Sequence, residues 1–334
     1  MPELLFELVG PNYELAKAEV MGGLEGLSLA HEVERFEDGI LAVDVRGSSY
    51  PEILFSRLGL SRRIHHLVGI TSLKEYDFSS LLKEYDPPQG STAVRTKKIE
   101  GHQADTKKIK EELGRVISQT NPIDLEEPDH ELFALISKNL FIGKKIYEVD
   151  RREMRAREVK NRPFSSPISL KPWFTRALIN MARPSESSRI HDPFCGTGGI
   201  LIEGSKMGLN VSGGDKDPSM IEGCRRNLDE FNVKADLKVG DVSQTIPDKI
   251  DAVVSDPPYG RAASTSKEDL ESIYQRLFET CEKRLKEGGY LAAIFPGEEY
   301  VDLGQKYLQL LESYKLRVHR SLDRYFTVFK KSSS

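Results

Sequence analysis

Strands and helices alternate regularly through the second half of the chain, and this alternation constrains the fold most. Five segments are predicted to be strands separated by helices: RIHDPF, NVSGGDK, ADLKVGD, DAVVSD and GGYLAAIFP. Such alternation is typical of a doubly wound, mostly parallel sheet, which binds ligands at the carboxyl ends of its strands. The closing segment YKLRVHRSLDRYFTVFKK is expected to form an antiparallel hairpin at the sheet edge.

The first half of the chain has a different pattern, which predicts two further α+β parts. In residues 1–75, strands and helices follow in the order β-α-β-β-α-β, which is typical of a small ferredoxin-like domain. Residues 76–150 contain additional strands and helices and are predicted to form a second unit. A basic linker at 151–165 then leads, through the prolines of NRPFSSPISLKPW, into the α/β domain expected over 166–334.

Composition restricts the class of protein. Of the 334 residues, 38% are hydrophobic and 30% are charged, values that are ordinary for a soluble globular protein, and the length favours several domains. The three cysteines form no C-x-x-C pair and the seven histidines have no zinc-binding spacing, so we expect neither disulfides nor a metal. No apolar run has the length of a membrane span, and a cytoplasmic monomer is expected.

A glycine-rich turn follows the first strand of the second half. In DPFCGTGGILIEG, residues 192–204, the strand ends at Asp192 and an apolar helix begins after Gly196, Gly198 and Gly199. Glycines allow the backbone to pass close to a ligand at a helix N-terminus. The turn lacks the Gly-Lys-Ser/Thr of a P-loop and the G-x-G-x-x-G spacing of a dinucleotide site.

Acidic residues follow the next two strands. Asp215 is placed where a carboxylate accepts hydrogen bonds from both ribose hydroxyls. Asp241 is a candidate acceptor for an adenine amino group, with the N–H of Val242 directed at a ring nitrogen. Asp217, followed by Pro218, has a simpler interpretation as a helix N-cap. Each acid alone would more often be a turn residue, but acids at successive strand ends predict a nucleoside site.

Residues 163–334 resemble the class I S-adenosylmethionine-dependent methyltransferases. The resemblance rests on the lead-in RPFSSPISLKPWFTRALINMA, on DPFCGTGG, on the two strand-end acids and on DPPYG, in the order usual for that class. It implies a Rossmann-like domain with a mostly parallel seven-stranded sheet and S-adenosylmethionine as cofactor. It also implies that Phe164 closes over the cofactor, whose methionine part is surrounded by Asp192, Phe194, Gly196, Thr197 and Gly198.

The DPPYG segment, residues 256–260, follows the fourth predicted strand. Methylation of an aromatic exocyclic amine requires acceptors that hold its N–H groups and a donor carbon in line. Asp256 is predicted to be one acceptor and the base, the Pro257 carbonyl a second acceptor, and Tyr259 a face for a flipped-out base. In isolation these residues are typical of a simple turn. In the enzymes that this chain resembles, the same segment occurs whether the methylated atom is adenine N6, cytosine N4 or guanine N2. The segment therefore does not identify the base.

Two basic runs indicate a polyanionic partner. Residues 95–110 and 151–162 each contain six Lys/Arg and two acids, although such runs are often only solvated surface. Residues 76–150 resemble the THUMP domain of RNA-modifying enzymes, which implies that the N-terminal half binds tRNA. The candidate phosphate contacts in the two runs are Arg95, Lys97, Lys98, Arg152 and Arg155.

Together, the two halves resemble the archaeal tRNA (guanine-10-N2)-dimethyltransferases over nearly the whole chain. The late SLDRYFTVF segment and the Ser/Thr-rich continuation of DPPYGR add to this resemblance. It implies transfer of one and then a second methyl group to guanosine N2 at tRNA position 10. The alternatives are an N2-guanine methyltransferase acting at tRNA position 6 or on rRNA, a DNA amino-methyltransferase, which is disfavoured because nothing resembles a target-recognition domain, and a catalytically inactive tRNA-binding protein.

Overall fold

The computed structural model describes residues 3–46, 52–99, 101–166, 169–259, 269–319 and 322–332. The Ser/Thr-rich continuation after Tyr259, including Gly260, lies outside the described residues. The chain divides into two compact units that alternate along the sequence. Unit 1 comprises Met1–Tyr13, Leu29–Pro51 and Ser61–Val149; unit 2 comprises Glu14–Ser28, Glu52–Leu60 and Asp150–Ser334.

Unit 1 contains one seven-stranded sheet. Its strands are β1 (Glu3–Leu8), β2 (His31–Glu37), β3 (Ile40–Val45), β4 (Ser61–Ser72), β5 (Thr92–Lys98), β6 (His130–Ile136) and β7 (Asn139–Glu148). Their order is β2-β3-β1-β4-β7-β6-β5, and every neighbouring pair is antiparallel except β5 with β6.

Besides the strands of the two sheets, the described residues form α-helices and one 3-10 helix. The helices of the N-terminal part are α1 (Tyr13–Gly26), α2 (Glu52–Arg57), α3 (Phe78–Leu81) and α4 (Thr106–Ile117). Those that follow are α5 (Arg151–Ala156), a 3-10 helix (Val159–Asn161), α6 (Pro172–Met181), α7 (Gly199–Lys206), α8 (Pro218–Glu230), α9 (Val242–Thr245), α10 (Leu270–Arg284) and α11 (Glu298–Gly304).

Helix α4 illustrates how the sequence produces the core of unit 1. The side chain of Asp105 accepts a hydrogen bond from the Lys108 N–H and so caps the first turn. Ile109, Leu113 and Ile117 follow at intervals of four, which places them on one face, and all three are buried against strand residues. The helix is therefore specified by its cap and by one apolar stripe.

Unit 2 contains the second sheet, and its topology agrees with the predicted Rossmann-like fold. Its strands are β8 (Arg189–Asp192), β9 (Asn210–Asp215), β10 (Asp236–Val239), β11 (Ile250–Ser255), β12 (Leu285–Phe295), β13 (Gln309–His319) and β14 (Leu322–Lys330). The order is β10-β9-β8-β11-β12-β14-β13. Strands β8 to β12 pair in parallel, while β14 is antiparallel to both of its neighbours. The predicted closing hairpin is thereby confirmed.

Two helices from the N-terminal part belong to unit 2. The carboxylate of Glu19 on α1 accepts hydrogen bonds from the N–H groups of Gly59 and Leu60, at 2.6 and 2.7 Å. Gly22 lies so close to α6 that a Cβ atom would fall 2.3 Å from the Asn180 carbonyl oxygen. Thus α1 and the residues around α2 contribute to the core of unit 2, although they lie within the first 75 residues.

Several predicted boundaries differ from the structure. The β-α-β-β-α-β order of residues 1–75 is present, but β4 pairs with β7, so the strands on both sides of residue 75 share one sheet. The division into a ferredoxin-like and a THUMP part stays a prediction. The linker at 151–165 contains α5 and the 3-10 helix. Among the described residues, no helix combines the length and the apolar character that crossing a membrane requires.

Candidate active site

Three aspartates lie at the carboxyl ends of adjacent parallel strands. β8 lies between β9 and β11, and Asp192, Asp215 and Asp256 stand at the ends of these strands. Burial raises the pKa of Asp192 to about 7, hydrogen bonds oppose the rise, and the charges of Asp215 and Asp256 add to it. The three carboxylates therefore lie along one edge of the sheet. This edge of the sheet is where doubly wound folds bind ligands.

The glycine-rich turn between β8 and α7 has the backbone that only glycine adopts readily. Gly196 and Gly198 have φ angles of 47° and 82°, in the left-handed region. A Cβ atom on Gly198 would also fall 2.8 Å from the Cys224 sulfur. At Gly196, by contrast, the nearest atom to an added Cβ is the Phe194 carbonyl oxygen at 3.9 Å, so this residue borders open space.

Asp192 connects the first and fourth strands of the second sheet. Its Oδ1 accepts hydrogen bonds from the Ser255 hydroxyl, at 2.6 Å, and from the Phe194 N–H, at 3.1 Å. Asp192 is itself buried, whereas Phe194 is half-buried. The Asp192 carboxylate thus holds the glycine-rich turn beside the residue that precedes Asp256.

Asp215 holds the same turn from the other side. Its two oxygens accept hydrogen bonds from the N–H groups of Gly196 and Asp217, both at 2.9 Å. Burial raises the pKa of Asp215 in spite of these bonds. Asp217 accepts a hydrogen bond from the Ser219 N–H and caps α8, as predicted.

Phe164 and Thr197 are connected by a residue that the sequence did not single out. The amide of Asn227 on α8 exchanges two hydrogen bonds with the Phe164 backbone and donates a third to the Thr197 carbonyl. The Phe164 ring rests on Gly223, where a Cβ atom would fall 2.1 Å from it. Arg162 donates a hydrogen bond to the Thr197 hydroxyl at 3.2 Å. The lead-in segment is therefore fastened to the glycine-rich turn.

Asp241 combines two structural contacts with partial exposure. It caps α9, accepting from the N–H and hydroxyl of Ser243, and its second oxygen accepts from Arg276 at 3.2 Å. A carboxylate has about four acceptor sites, so these bonds leave capacity for a ligand. Val242 is the first residue of α9, and the N–H of such a residue has no acceptor within its own helix.

The residues after β11 present a half-buried carboxylate. Oδ1 of Asp256 is buried and has no hydrogen-bond partner among the described residues. Burial raises the pKa of Asp256 to about 6, and the positive charge of Arg324 opposes the rise. Pro257 is buried, Pro258 and Tyr259 are half-buried, and all three have non-helical backbone.

Two distant residues support this segment, and sequence reasoning missed both. The Tyr274 hydroxyl on α10 donates a hydrogen bond to the Pro258 carbonyl at 2.7 Å. The guanidinium carbon of Arg324 on β14 lies 5.3 Å from the centre of the Tyr259 ring. No local signal could have revealed these contacts, because each joins residues that are far apart in the sequence.

The candidate RNA-binding residues differ in how far their side chains are engaged. Arg95 is half-buried and donates hydrogen bonds to Glu131 and to the Leu125 carbonyl, at 3.2 and 2.9 Å. Lys97 is half-buried and Lys98 is exposed. Arg95 would therefore have to exchange protein partners for a phosphate.

The second basic run is partly structural. Arg152 and Arg155 are exposed, as a nucleic-acid contact requires. Arg157 is buried and forms two hydrogen bonds with the buried Glu203, at 2.7 and 3.0 Å. Arg162 is also buried. The charge count of this run thus overstates the number of cations that face solvent.

One cleft in unit 2 lies away from these residues. This cleft of about 960 Å³ is bordered by the first residues of the parallel strands, including Arg189, Asn210, Asp236 and Ile250. None of the predicted cofactor residues lines it. In the described part of the chain, no three histidine, cysteine or acidic side chains are grouped to hold a metal ion.

Comparison with known proteins reveals one family over the whole chain. Residues 160–324 match the UPF0020 family, described as RMKL-like, methyltransferase domain. The tRNA (guanine(10)-N2)-dimethyltransferase of Methanothermobacter thermautotrophicus is 30% identical, with 98% of this chain and 99% of that protein covered. The protein of the same name from Pyrococcus abyssi is 32% identical, with 97% and 98% covered.

The solved structure of TrmN from Thermus thermophilus has the same fold. It aligns with a TM-score of 0.54 at 18% identity and covers 98% of this chain and 99% of its own. This similarity supports the Rossmann-like architecture alone. The two full-length relatives and the matched methyltransferase domain show more: the chain belongs to the tRNA (guanine(10)-N2)-dimethyltransferase family.

Proposed function

We propose that the chain transfers methyl groups from S-adenosylmethionine to the exocyclic N2 of guanosine 10 in tRNA, one and then a second. The observation that carries the proposal is the carboxylate of Asp256, which ends a central strand with a buried oxygen that lacks a partner among the described residues. Such an oxygen is suited to receive an N–H group from a bound amine. Two full-length relatives whose names specify this reaction support it.

The residues around the glycine-rich turn fit the cofactor. The open space beside Gly196 and the left-handed backbone of Gly196 and Gly198 allow a ligand to approach the main chain. We assign Asp192, Phe194, Gly196, Thr197 and Gly198 to the methionine part, with Phe164 closing over it. We assign Asp215 to the ribose, and Asp241 with the Val242 N–H to the adenine.

Asp256 and its neighbours hold the target amine in this mechanism. The bound cofactor supplies an electrophilic methyl group attached to a sulfonium. Asp256 and the Pro257 carbonyl accept hydrogen bonds from the amine N–H groups, and Tyr259 stacks on the flipped-out base. Because an aromatic amine has a delocalised lone pair, holding its N–H groups, two before the first transfer and one before the second, favours the tetrahedral nitrogen that forms the new bond.

Asp256 also receives the proton that the reaction releases. When nitrogen forms its bond to the methyl carbon, the bond between that carbon and the sulfonium sulfur would break and leave a neutral thioether. The nitrogen becomes cationic, and one N–H proton passes to the carboxylate. The pKa of Asp256, raised to about 6, keeps the group mostly ionised at neutral pH but more basic than an exposed aspartate. Burial of the carboxylate therefore serves the proton transfer directly.

Exposed cations of the N-terminal part and of helix α5 provide tRNA binding in this proposal. Lys98, Arg152 and Arg155 are exposed cations and are the strongest candidates for phosphate contacts, with Lys97 and Arg95 beside Lys98 in the same strand. We further propose that the protein is a cytoplasmic monomer.

One experiment tests the reaction and the tRNA position at which it occurs. Unmodified tRNA is incubated with isotopically labelled S-adenosylmethionine, digested, and examined for methylated guanosine by mass spectrometry with fragment mapping. We expect N2-methylguanosine at early times and N2,N2-dimethylguanosine later, both at position 10. Product at another position would refute position 10 as the site of modification, and transfer to another atom of the base would refute the assigned chemistry.

A further inference from the structure

Tyr274 on α10 connects the core of unit 2 to the segment that follows β11. Its side chain is fully buried, and its hydroxyl donates a hydrogen bond to the Pro258 carbonyl at 2.7 Å. The ring makes edge-on contacts with the rings of Phe295 and Tyr300, whose centres lie 5.3 and 4.6 Å from its own. Burial raises the pKa of Tyr274, so the hydroxyl stays protonated and remains a donor at neutral pH. A donor that is fixed in the core therefore holds the Pro258 carbonyl.

The two prolines of this segment cannot fix their own carbonyl groups through backbone N–H groups. Neither Pro257 nor Pro258 has an N–H to donate, and a residue that precedes a proline is restricted to extended backbone. In extended backbone with three residues per turn, successive carbonyls point about 120° apart. Because Tyr274 holds the Pro258 carbonyl toward α10, the Pro257 carbonyl points in a different direction. The Tyr274 hydroxyl thereby engages one of two adjacent carbonyls and leaves the other to a ligand.

We propose that Tyr274 is a positioning residue for the first methyl transfer: by holding the Pro258 carbonyl, it directs the Pro257 carbonyl at the second N–H group of the target amine. This inference rests on the proposed function, in which Asp256 and the Pro257 carbonyl each accept one N–H group. Tyr274 acts through the Pro258 carbonyl and is assigned no contact with the reacting atoms. Because a misplaced acceptor holds the amine in a less reactive geometry, loss of the hydroxyl should slow the reaction.

The two methyl transfers differ in what the Pro257 carbonyl can hold. Guanosine has two N–H groups on N2, one for Asp256 and one for the Pro257 carbonyl. N2-methylguanosine has a single N–H group, which has to face Asp256 because this carboxylate receives the proton. The methyl group already present then takes the place of the N–H group that the Pro257 carbonyl accepted. Loss of the Tyr274 hydroxyl should therefore slow the first transfer much more than the second, whereas a general structural defect slows both.

Single-turnover rates of the variant Tyr274→Phe measure this difference. The substitution removes the hydroxyl and keeps the ring that packs against Phe295 and Tyr300. tRNA assembled by ligation carries guanosine or N2-methylguanosine at position 10 and is mixed with excess protein saturated with S-adenosylmethionine. We expect the rate of the first transfer to fall roughly tenfold, as loss of a positioning hydrogen bond implies, and the rate of the second to stay within about twofold.

The matched control is Tyr307→Phe. The Tyr307 ring also packs on α10, stacked on Phe278 with the ring centres 6.3 Å apart, but its hydroxyl donates to the Glu279 carboxylate at 3.5 Å. Removing this hydroxyl should change neither rate. The dissociation constant for S-adenosylmethionine, measured by calorimetry in both variants, reports on the folding of unit 2 and should stay at its wild-type value.

The outcomes distinguish this inference from the function on which it rests. An equal decrease of both rates in Tyr274→Phe would identify a structural residue and overturn the inference. An unchanged rate of the first transfer would overturn it as well, and in both cases the proposed function would stand. If the wild-type protein failed to methylate either substrate at position 10, the proposed function itself would fail, and the role of Tyr274 would fail with it.

Discussion

One oxygen of the Asp256 carboxylate is buried, and the positive charge of Arg324 lowers the pKa of this group. Asp256 follows strand β11, whose last residue, Ser255, donates a hydrogen bond to Asp192. Sequence reasoning identified Asp256, because the Asp-Pro-Pro-Tyr-Gly segment follows a strand in a recognisable order of motifs. It could not identify Arg324, Tyr274 or Asn227, whose contacts depend on chain segments that meet only in the folded protein.

Replacing Asp256 with asparagine tests whether the side chain acts as a proton acceptor or only as a hydrogen-bond acceptor of the same shape. Asp256→Asn keeps an acceptor oxygen but removes the basic carboxylate, so we expect kcat to fall by roughly 10² to 10⁴. The dissociation constant for S-adenosylmethionine, measured by calorimetry, should stay within about twofold. Asp251→Asn, in the same strand β11, is the control and should retain kcat. Wild-type turnover by Asp256→Asn would exclude the assigned role.

The raised pKa of Asp256 predicts a pH dependence with a defined direction. The carboxylate must be ionised to accept an N–H group, so the single-turnover rate should increase as pH rises through about 6. Removing the charge of Arg324 in Arg324→Gln takes away the interaction that lowers this pKa. The rising limb should therefore move to higher pH in that variant. An unchanged limb would show that Arg324 does not act on Asp256.

Individual helices and strands followed from local sequence, while their ends and mutual contacts did not. The segment LESIYQRLFETCEKRLKEG is typical of one helix, but α10 ends at Arg284, and Leu285 already has the extended backbone of β12. The segment ELFALISKNLF is typical of one strand, but β6 ends at Ile136 and β7 begins at Asn139. At β12 the pairing of Leu285 with Ile250 decides the boundary, and this partner is not visible in a local window. At β6 the boundary is a tight turn, after which Leu140 pairs with Ile136.

The contact of α7 with two arginines predicts a large effect of one substitution. Glu203 is fully buried on α7 and pairs with Arg157, which follows α5, and with Arg176 on α6. Removing one partner of a buried ion pair leaves an uncompensated charge and typically costs about 3–5 kcal/mol. We therefore expect Glu203→Gln to lower the free energy of unfolding by roughly this amount in denaturant titration.

The matched control is an ion pair exposed on a helix surface. Glu222 and Arg226 lie on α8 four residues apart, and both side chains are exposed. Glu222→Gln should change the free energy of unfolding by less than about 0.5 kcal/mol. A similarly small change in Glu203→Gln would contradict a stabilising role for the buried cluster.

At the scale of the whole molecule, the two compact units do not follow the predicted domain boundaries along the sequence. α1 and residues 52–60 belong to unit 2, where Asn180 donates to the Arg57 carbonyl at 3.1 Å and Arg57 donates to the Met207 carbonyl at 3.0 Å. Sequence order placed these segments in an N-terminal domain, because contacts between distant segments leave no local signal.

This division predicts the result of a truncation. A chain that begins at residue 151 lacks α1 and α2 and leaves buried groups of α6, such as Asn180, without partners. We expect it to lose cooperative thermal unfolding and measurable S-adenosylmethionine binding, although it retains every predicted cofactor residue. Cooperative unfolding at the full-length midpoint, with unchanged cofactor affinity, would show that unit 2 folds without these helices.

The sequence by itself determined the alternating α/β architecture, the glycine-rich turn, the acids at successive strand ends and the Asp-Pro-Pro-Tyr segment, because periodicity and backbone restrictions are local properties. Only the tertiary structure decided that Arg157 and Arg162 of the second basic run are buried, that α1 and α2 join unit 2, and that Arg324 lies over the Tyr259 ring. The physical reason is that burial and ion pairing depend on which distant segments contact each other in the folded protein, and a local sequence pattern carries no information about those contacts.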